Sequence, residues 1–336
     1  MQKIEACRTE ALGGEVFLCV PCNAYRYSYH SCQDRHCPKC GHDNASEWLR
    51  MQTALLLPVP YFMVTFTLPD TLNDVARSHG KFIYSLFFQT AAAALQKLAD
   101  DPEFVGGQFG FFGVLQTWSR DLAYHPHIHF IVAGGGLSED GSTWREAHKN
   151  FLVPVKALSK IFRAKFRDAL KKKHELFAQV PPGTWQKDWV VHCEPTGTGE
   201  PALKYLAPYI FRIAISNRRL VKLENGQLTF QYRDGETRRF MTTTLTAQEF
   251  IRRFLQHVLP RGFIKVRYYG FLASRHRKRL EKIKELLHVK SLAREPTADA
   301  NTEAPAAPQV TLMRCPGCGA LMQPVGDLAP KRTRAP

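Results

Sequence analysis

Long apolar runs are missing from this chain. The longest, Leu55 to Phe66, is broken by Pro58 and Pro60 and is too short to cross a bilayer. The opening segment, Met1 to Cys7, is short, polar and mixed in charge, unlike the apolar core a signal peptide needs. Both features point to a soluble, cytoplasmic protein with no membrane partner. Acidic residues are also scarce, 30 against 46 lysines and arginines, for a formal net charge of +16 and a pI near 9.5. Such an imbalance favours a polyanionic partner, nucleic acid before membrane. There is no G-x4-G-K-[ST] phosphate loop, which argues against a fused helicase motor. Internal repeats are absent too, so the 336 residues read as about two or three ordinary domains.

Cysteine, in contrast, is plentiful. Nine cysteines in a reducing compartment point to metal rather than to disulfides. Six lie in residues 1–45. Cys19 and Cys22 form one C-x2-C knuckle, and Cys37 and Cys40 another, at a spacing that suits a four-thiolate zinc ribbon. Gly41 follows the second knuckle, where a tight turn is needed. Cys7 and Cys32 remain, with His36 and Glu15 near enough in sequence to complete a second site. Sites of this kind fold a module and do no chemistry. From about Ser291 the composition turns to Ala, Pro, Thr and Glu, the signature of a disordered linker and tail. It carries a lone knuckle, Cys315 and Cys318. The expected division is a zinc module over 1–45, a main domain over 46–290 and a tail over 291–336.

Within the main domain, Tyr61 to Leu68 alternates like a strand, and 71–100 and 155–176 read as helices. Residues 109–118 and 124–133 read as a hairpin closed beyond its second arm by Gly134-Gly135-Gly136. A strand at 188–193 precedes a helix from about Ala202. A second hairpin turns at Asp234-Gly235, and Thr246 with Glu249 forms a capping box.

The chemistry concentrates in Tyr124-His125-Pro126-His127-Ile128-His129-Phe130. A strand sends alternate side chains to one face, so the three histidines share a face. His127 and His129 can converge on one ion. Including His125 would stretch the set over ~13 Å of backbone. Gln116, on the paired arm, can supply a third ligand, an oxygen. Two imidazoles and one amide oxygen with open positions suit magnesium or manganese on a phosphate. Tyr205 and Tyr209, spaced i and i+4, share a helix face and are candidate nucleophiles. Taken alone, two such tyrosines are usually packing residues, and an isolated His-x-His pair is usually a satisfied core pair. Strong basicity and a zinc module alter that balance.

Several long stretches then resemble one family: CRTEALGG with the Cys-rich segment through RHCPKC, PVPYFMVTFTLP, QTWSRDLAYHPHIHF, KYLAPYIFRIAISNRRL and EFIRRFLQHVLPRGFIKVRYYGFLA. They span most of residues 7–288 and resemble the two-tyrosine HUH transposases of the insertion-sequence ninety-one family. The resemblance implies an α+β HUH endonuclease fold, a central antiparallel sheet flanked by helices in the manner of RRM and ferredoxin-like domains, beside a small zinc module. It implies a single-strand endonuclease and strand transferase that cuts and rejoins DNA at element ends and targets in rolling-circle transposition. His127 and His129 would hold the metal, and Tyr205 and Tyr209 would form 5′-phosphotyrosines. Arg212, Asn217 and Arg218 match the rest of the tyrosine motif. With Lys204, Arg219, Lys265, Arg267, Arg275, Arg277, Lys278 and Arg279 they form the expected DNA-binding set. The chain departs from the family at Gln116 and Glu15, where histidine is frequent, and Pro208 interrupts the tyrosine helix. A replication-initiator or relaxase-like nickase, and a non-catalytic zinc-dependent DNA-binding protein, are the competing readings.

Overall fold

A computed structural model describes residues 2–34, 37, 40–211, 214–235, 237–288 and 313–331, without the side chains of 41–44, 211 and 217. The chain divides into two units, Met1–Asp43 with Ser291–Pro336, and Asn44–Lys290.

In the first unit a short helix, α1 (Gln2–Glu5), precedes a hairpin of β1 (Gly14–Cys19) and β2 (Ala24–Tyr29). The pairing runs from Gly14 opposite Tyr29 to Cys19 opposite Ala24. A third strand, Gln323–Leu328, joins the free edge of β1. Residues 313–331 therefore belong to the N-terminal module, and their knuckle is not alone. Residues 291–312, the expected linker, lie outside the described residues.

The second unit is built on an antiparallel sheet with the histidine strand at its centre. Helix α2 (Gly41–Thr53) is followed by β3 (Tyr61–Thr67), α3 (Asn73–Ser78), α4 (Gly80–Ala99), β4 (Gln108–Trp118) and β5 (Tyr124–Leu137). Next come β6 (Trp144–Glu146), α5 (Val155–Lys171), α6 (His174–Ala178), β7 (Val191–Pro195) and α7 (Glu200–Phe211). The chain continues through β8 (Leu220–Glu224), β9 (Gln227–Arg233), β10 (Phe240–Thr246), α8 (Ala247–Leu255), β11 (Val266–Tyr269) and α9 (Arg277–Leu286). The main sheet runs β11-β4-β5-β3-β7, with β6 added beside β5. Strand β8 was not foreseen; it completes a small sheet, β10-β9-β8.

Alternation on β5 sorts its side chains between two cores. Ile128, Phe130 and Val132 join Phe87 and Phe88 of α4 and Phe162 and Phe166 of α5. The α5 phenylalanines lie on the apolar stripe of the basic helix, whose charges fall on its outer side. Ile131 and Ala133 face the other way, with Phe112 and Val114 of β4 and Leu203, Leu206 and Ala207 of α7. The histidines share that second parity, so the face that packs the tyrosine helix is also the face that carries the histidines.

Several expectations need correction. The helix expected over 71–100 is two, α3 and α4, divided at His79, and the one expected over 155–176 ends at Lys171 with α6 following from His174. Gly134, Gly135 and Gly136 are part of β5 and form no turn. A Cβ on Gly134 would lie 2.6 Å from the Pro60 carbonyl oxygen, and one on Gly135 2.4 Å from the Trp144 ring, so the triplet serves close strand approach. Gly41 opens α2 rather than making a separate turn. Of the capping box only the N-cap half is seen, with Thr246 Oγ1 accepting from the Glu249 amide at 3.2 Å while the Glu249 carboxylate pairs with Arg252 and Arg253, and the helix ends at Leu255 instead of Val258.

Candidate active site

Gln116 stands directly opposite His127 in the β4–β5 register, and Thr65 stands opposite His129 across β3–β5. The two imidazoles lie at right angles with centroids 4.9 Å apart. Both are buried. His127 Nδ1 donates to the His125 carbonyl at 2.7 Å, and His129 Nδ1 pairs with Thr65 Oγ1 at 2.8 Å. Hydrogen bonds on both Nδ1 atoms leave both Nε2 atoms for a ligand, the arrangement that orients metal-bound histidines. Gln116 Oε1 lies 3.2 Å from His127 Nε2, and its buried Nε2 has no protein partner. Burial pushes His127 down to about 4 and His129 to about 3, so both rings are neutral at pH 7, the form that binds metal. The donor set fits a hard divalent cation with open positions. His125 is exposed and points its carbonyl, rather than its ring, into this network.

Helix α7 lays Leu203, Leu206 and Ala207 on the sheet and brings Tyr205 over the histidines. The Tyr205 and His129 centroids are 6.3 Å apart, edge to face, and Tyr209 follows at 5.3 Å from Tyr205. Pro208 removes one helical hydrogen bond, yet the helix runs on to Phe211 with both tyrosines on one face. Lys265 braces the end of the helix, donating from Nζ to the Tyr209 carbonyl at 2.6 Å while lying 4.9 Å over the Trp118 ring. A cleft of about 390 Å³ opens along this face between Trp118, Lys204, Tyr205, Tyr209, Ser216 and Arg219. Burial, then the neighbouring Tyr209, pushes the Tyr205 phenol up to about 12, and the Arg120 charge opposes both. Thr65 and Arg120 carried no sequence signal. Each is placed by strand register or a turn, which local pattern does not encode.

The N-terminal 68 residues match a family of transposase zinc-binding domains. Residues 110–279, which hold the histidines and both tyrosines, match a family described as "Putative transposase". A transposase for insertion sequence element IS801 from Pseudomonas savastanoi pv. phaseolicola is 31% identical over 95% of this chain and 81% of its own length. A relative from Sinorhizobium fredii, y4qJ, is 38% identical over 95% of this chain and 86% of its own. The chain belongs to the insertion-sequence ninety-one (IS91) family of transposases. No solved structure matches it.

A transposase acts on DNA, and the residues expected to touch DNA fall into two groups. Arg275, Arg277, Lys278 and Arg279 are exposed along and before α9, though Arg279 bonds Gln108 Oε1 at 2.7 Å. Arg218 is exposed, and Lys204 is held by Glu200 at 2.6 Å on the surface of α7. The second group is built into the protein. Lys265 caps α7, as above. Arg267 donates to Ser85 Oγ at 3.0 Å and lies 4.7 Å over Phe88. Arg219 donates to the Gln231 carbonyl at 2.8 Å, although it also lines the cleft. Arg212 and the side chain of Asn217 lie outside the described residues.

The cysteines group differently from the expectation. Cys7, Cys32, Cys37 and Cys40 form one cluster, and Cys19, Cys22, Cys315 and Cys318 form another. Glu15 is in neither, and His36 lies outside the described residues. The hairpin explains the exchange. Cys19 and Cys22 sit at its tip, while Cys7 and Cys32 sit at its base, where the Cys32 amide donates to Cys7 Sγ at 3.4 Å. Five strand steps separate the two ends, about 17 Å. One ion cannot bridge that distance, so Cys37 and Cys40 join the base.

Proposed function

We propose that this transposase cuts and rejoins single-stranded DNA by tyrosine attack in an HUH-type site, moving its element by rolling-circle transposition. His127, His129 and the Gln116 amide oxygen would hold a magnesium or manganese ion. When bound, that ion polarises a scissile phosphate and favours ionised oxygens near it. The observation that carries the reading is the convergence of Tyr205 on two neutral, buried imidazoles whose Nε2 atoms are left for a ligand.

Tyr205 rests as a phenol at neutral pH, as any tyrosine does, and its surroundings raise the proton's hold further. On loss of that proton its oxygen attacks phosphorus. The bond from phosphorus to the DNA 3′-oxygen breaks, and that oxygen leaves with the electron pair and takes up one proton, matching the one lost by the tyrosine, to become a 3′-hydroxyl. A phosphodiester is exchanged for a phosphotyrosine diester, so joining by an incoming 3′-hydroxyl needs no ATP. Tyr209, beside Tyr205 in the same cleft, accepts a second strand in the same way. Arg120 and the exposed basic residues near α9 hold the phosphates of the flanking DNA.

The polarity of cleavage tests this. A single-stranded oligonucleotide spanning an element end, incubated with manganese, should give one fragment with a 3′-hydroxyl that a polymerase extends. The other fragment should carry protein on its 5′ end. Both products should vanish in Tyr205→Phe/Tyr209→Phe and with EDTA. A free 5′-phosphate with unchanged yield in the double variant would overturn the assignment and favour water as nucleophile.

A further inference from the structure

The family's zinc-binding domain ends within the first 68 residues, which leaves Cys315 and Cys318 outside it. We infer that these two cysteines, with Cys19 and Cys22, hold a second structural zinc that fastens the C-terminal segment onto the N-terminal hairpin.

Four sulfurs at 2.3 Å from a tetrahedral zinc lie about 3.8 Å from one another. Cys19 and Cys318 Sγ are 3.5 Å apart, and Cys315 and Cys22 Sγ are 4.0 Å apart. All four sulfurs lie within 4.8 Å of one another. The neighbouring cluster has the same spacing, with Cys7–Cys40 at 3.3 Å and Cys32–Cys40 at 3.7 Å. All nine cysteines are free thiols.

The two knuckles of the second cluster also share a local backbone form. The residue after the second cysteine is left-handed in both, Asn23 with φ +48° and Gly319 with φ +73°. Asn and Gly are the residues that adopt this region at least cost. Each also donates its amide back across the knuckle, Asn23 to the Val20 carbonyl at 3.3 Å and Gly319 to the Cys315 carbonyl at 2.8 Å. The turns close differently, three residues back at Asn23 and four back at Gly319, but both end in a left-handed residue and both bring their pair of thiolates to the same cluster.

Every residue of the strand Gln323–Leu328 but the last is exposed, and among the described residues the segment's apolar anchorage is Cys315 and Met322, with Met313 and Ala320 partly buried beside them, against Phe17 and Cys19. Strand pairing with β1 and the Lys331–Glu10 ion pair at 2.7 Å add to this at the surface. An ion shared by both knuckles adds a direct tie between the two chain ends to this pairing and packing, and binding it helps to fold the segment into place. The site has a further property set by chain order. The first cluster can fill once residue 40 is made, whereas the second closes only when residue 318 is available.

Zinc content and thiol protection test the inference on the full chain. Zinc-loaded protein should carry two ions per chain, and Cys315→Ser/Cys318→Ser one. Cys7→Ser/Cys32→Ser should also carry one. Serine variants of a zinc module can unfold, so a second measurement uses the unaltered chain. Alkylation mapped by mass spectrometry should leave Cys315 and Cys318 unmodified with zinc bound and label them, together with Cys19 and Cys22, once a chelator is added. One zinc per chain in the unaltered protein, the same zinc content in Cys315→Ser/Cys318→Ser, or prompt labelling of Cys315 and Cys318 in zinc-loaded protein would overturn it.

Discussion

His127 and His129 are held by hydrogen bonds that differ in how far they reach along the chain. His127 uses the carbonyl of His125, two residues away, whereas His129 uses Thr65, on a different strand. The first was open to a sequence reading through strand alternation, as was Gln116 on the paired arm. Thr65 was not, because nothing local fixes which residue of β3 meets His129. Replacing His127 by Ala should slow cleavage on the order of 10³-fold or more, the scale expected when a metal that stabilises the transition state loses a ligand. DNA affinity should persist, since phosphate contacts supply most of it; equal loss of both would mark the histidine as structural. A third histidine gives a separate test. His257 is fully buried beside Thr117, Tyr124 and the Leu122 carbonyl, with Arg77 adding positive charge nearby. Burial lowers it from 6.5 to about 4, so the unfolded chain takes up its proton first as pH falls. The stability this one histidine contributes should fall from about pH 6.5 and level off near pH 4, by about 3 kcal/mol, on top of the losses that buried His127 and His129 add in the same direction. Chemical denaturation across that window should show a shallower slope in His257→Gln.

Elements, more than single residues, decide what the basic side chains do. The stretch from 263 to 290 reads as one basic and aromatic segment, and sequence alone gives every arginine and lysine in it the same role. Folding divides them. Lys265 and Arg267 flank or lie on β11, the edge strand of the main sheet, and turn inward to α7 and to Phe88. Arg277 and Lys278 open α9 and face solvent. Alternation across a strand pairing that spans about 150 residues of sequence was not legible beforehand. The glycine triplet of β5 misled for a similar reason, since the partners that demand glycine, Pro60 and Trp144, are set by pairing rather than by local pattern. Two substitutions separate the roles. Lys265→Met should impair cleavage by loosening α7 and leave the salt dependence of DNA binding unchanged. Arg277→Ala with Lys278→Ala should reduce the slope of log affinity against log salt by roughly 0.7 for each single-strand phosphate left without its cation. Titrations at several salt concentrations check both, and a reduced slope in Lys265→Met would return that residue to the DNA interface.

Across the whole molecule, the chain order hides the real groupings. The α+β character with a small zinc-binding module followed from the cysteine-rich start and the alternating strands. The membership of residues 313–331 in the first unit did not, because a C-x2-C pair near the end of a chain has no sequence neighbour to reveal its partner. The proposed catalytic elements are similarly dispersed. The β4–β5 hairpin supplies the proposed metal ligands, and a helix some eighty residues later supplies the tyrosines, joined only when α7 packs on the histidine face. That joining is the central claim, and one measurement addresses it directly. The protein is incubated with a suicide single-stranded element end and manganese, digested, and the DNA-linked peptide is sequenced by mass spectrometry. The account predicts a 5′-phosphodiester on Tyr205 or Tyr209, within the peptide from α7, and none when His127 is replaced. A DNA link on any other residue, or one that persists in Tyr205→Phe/Tyr209→Phe, would contradict it.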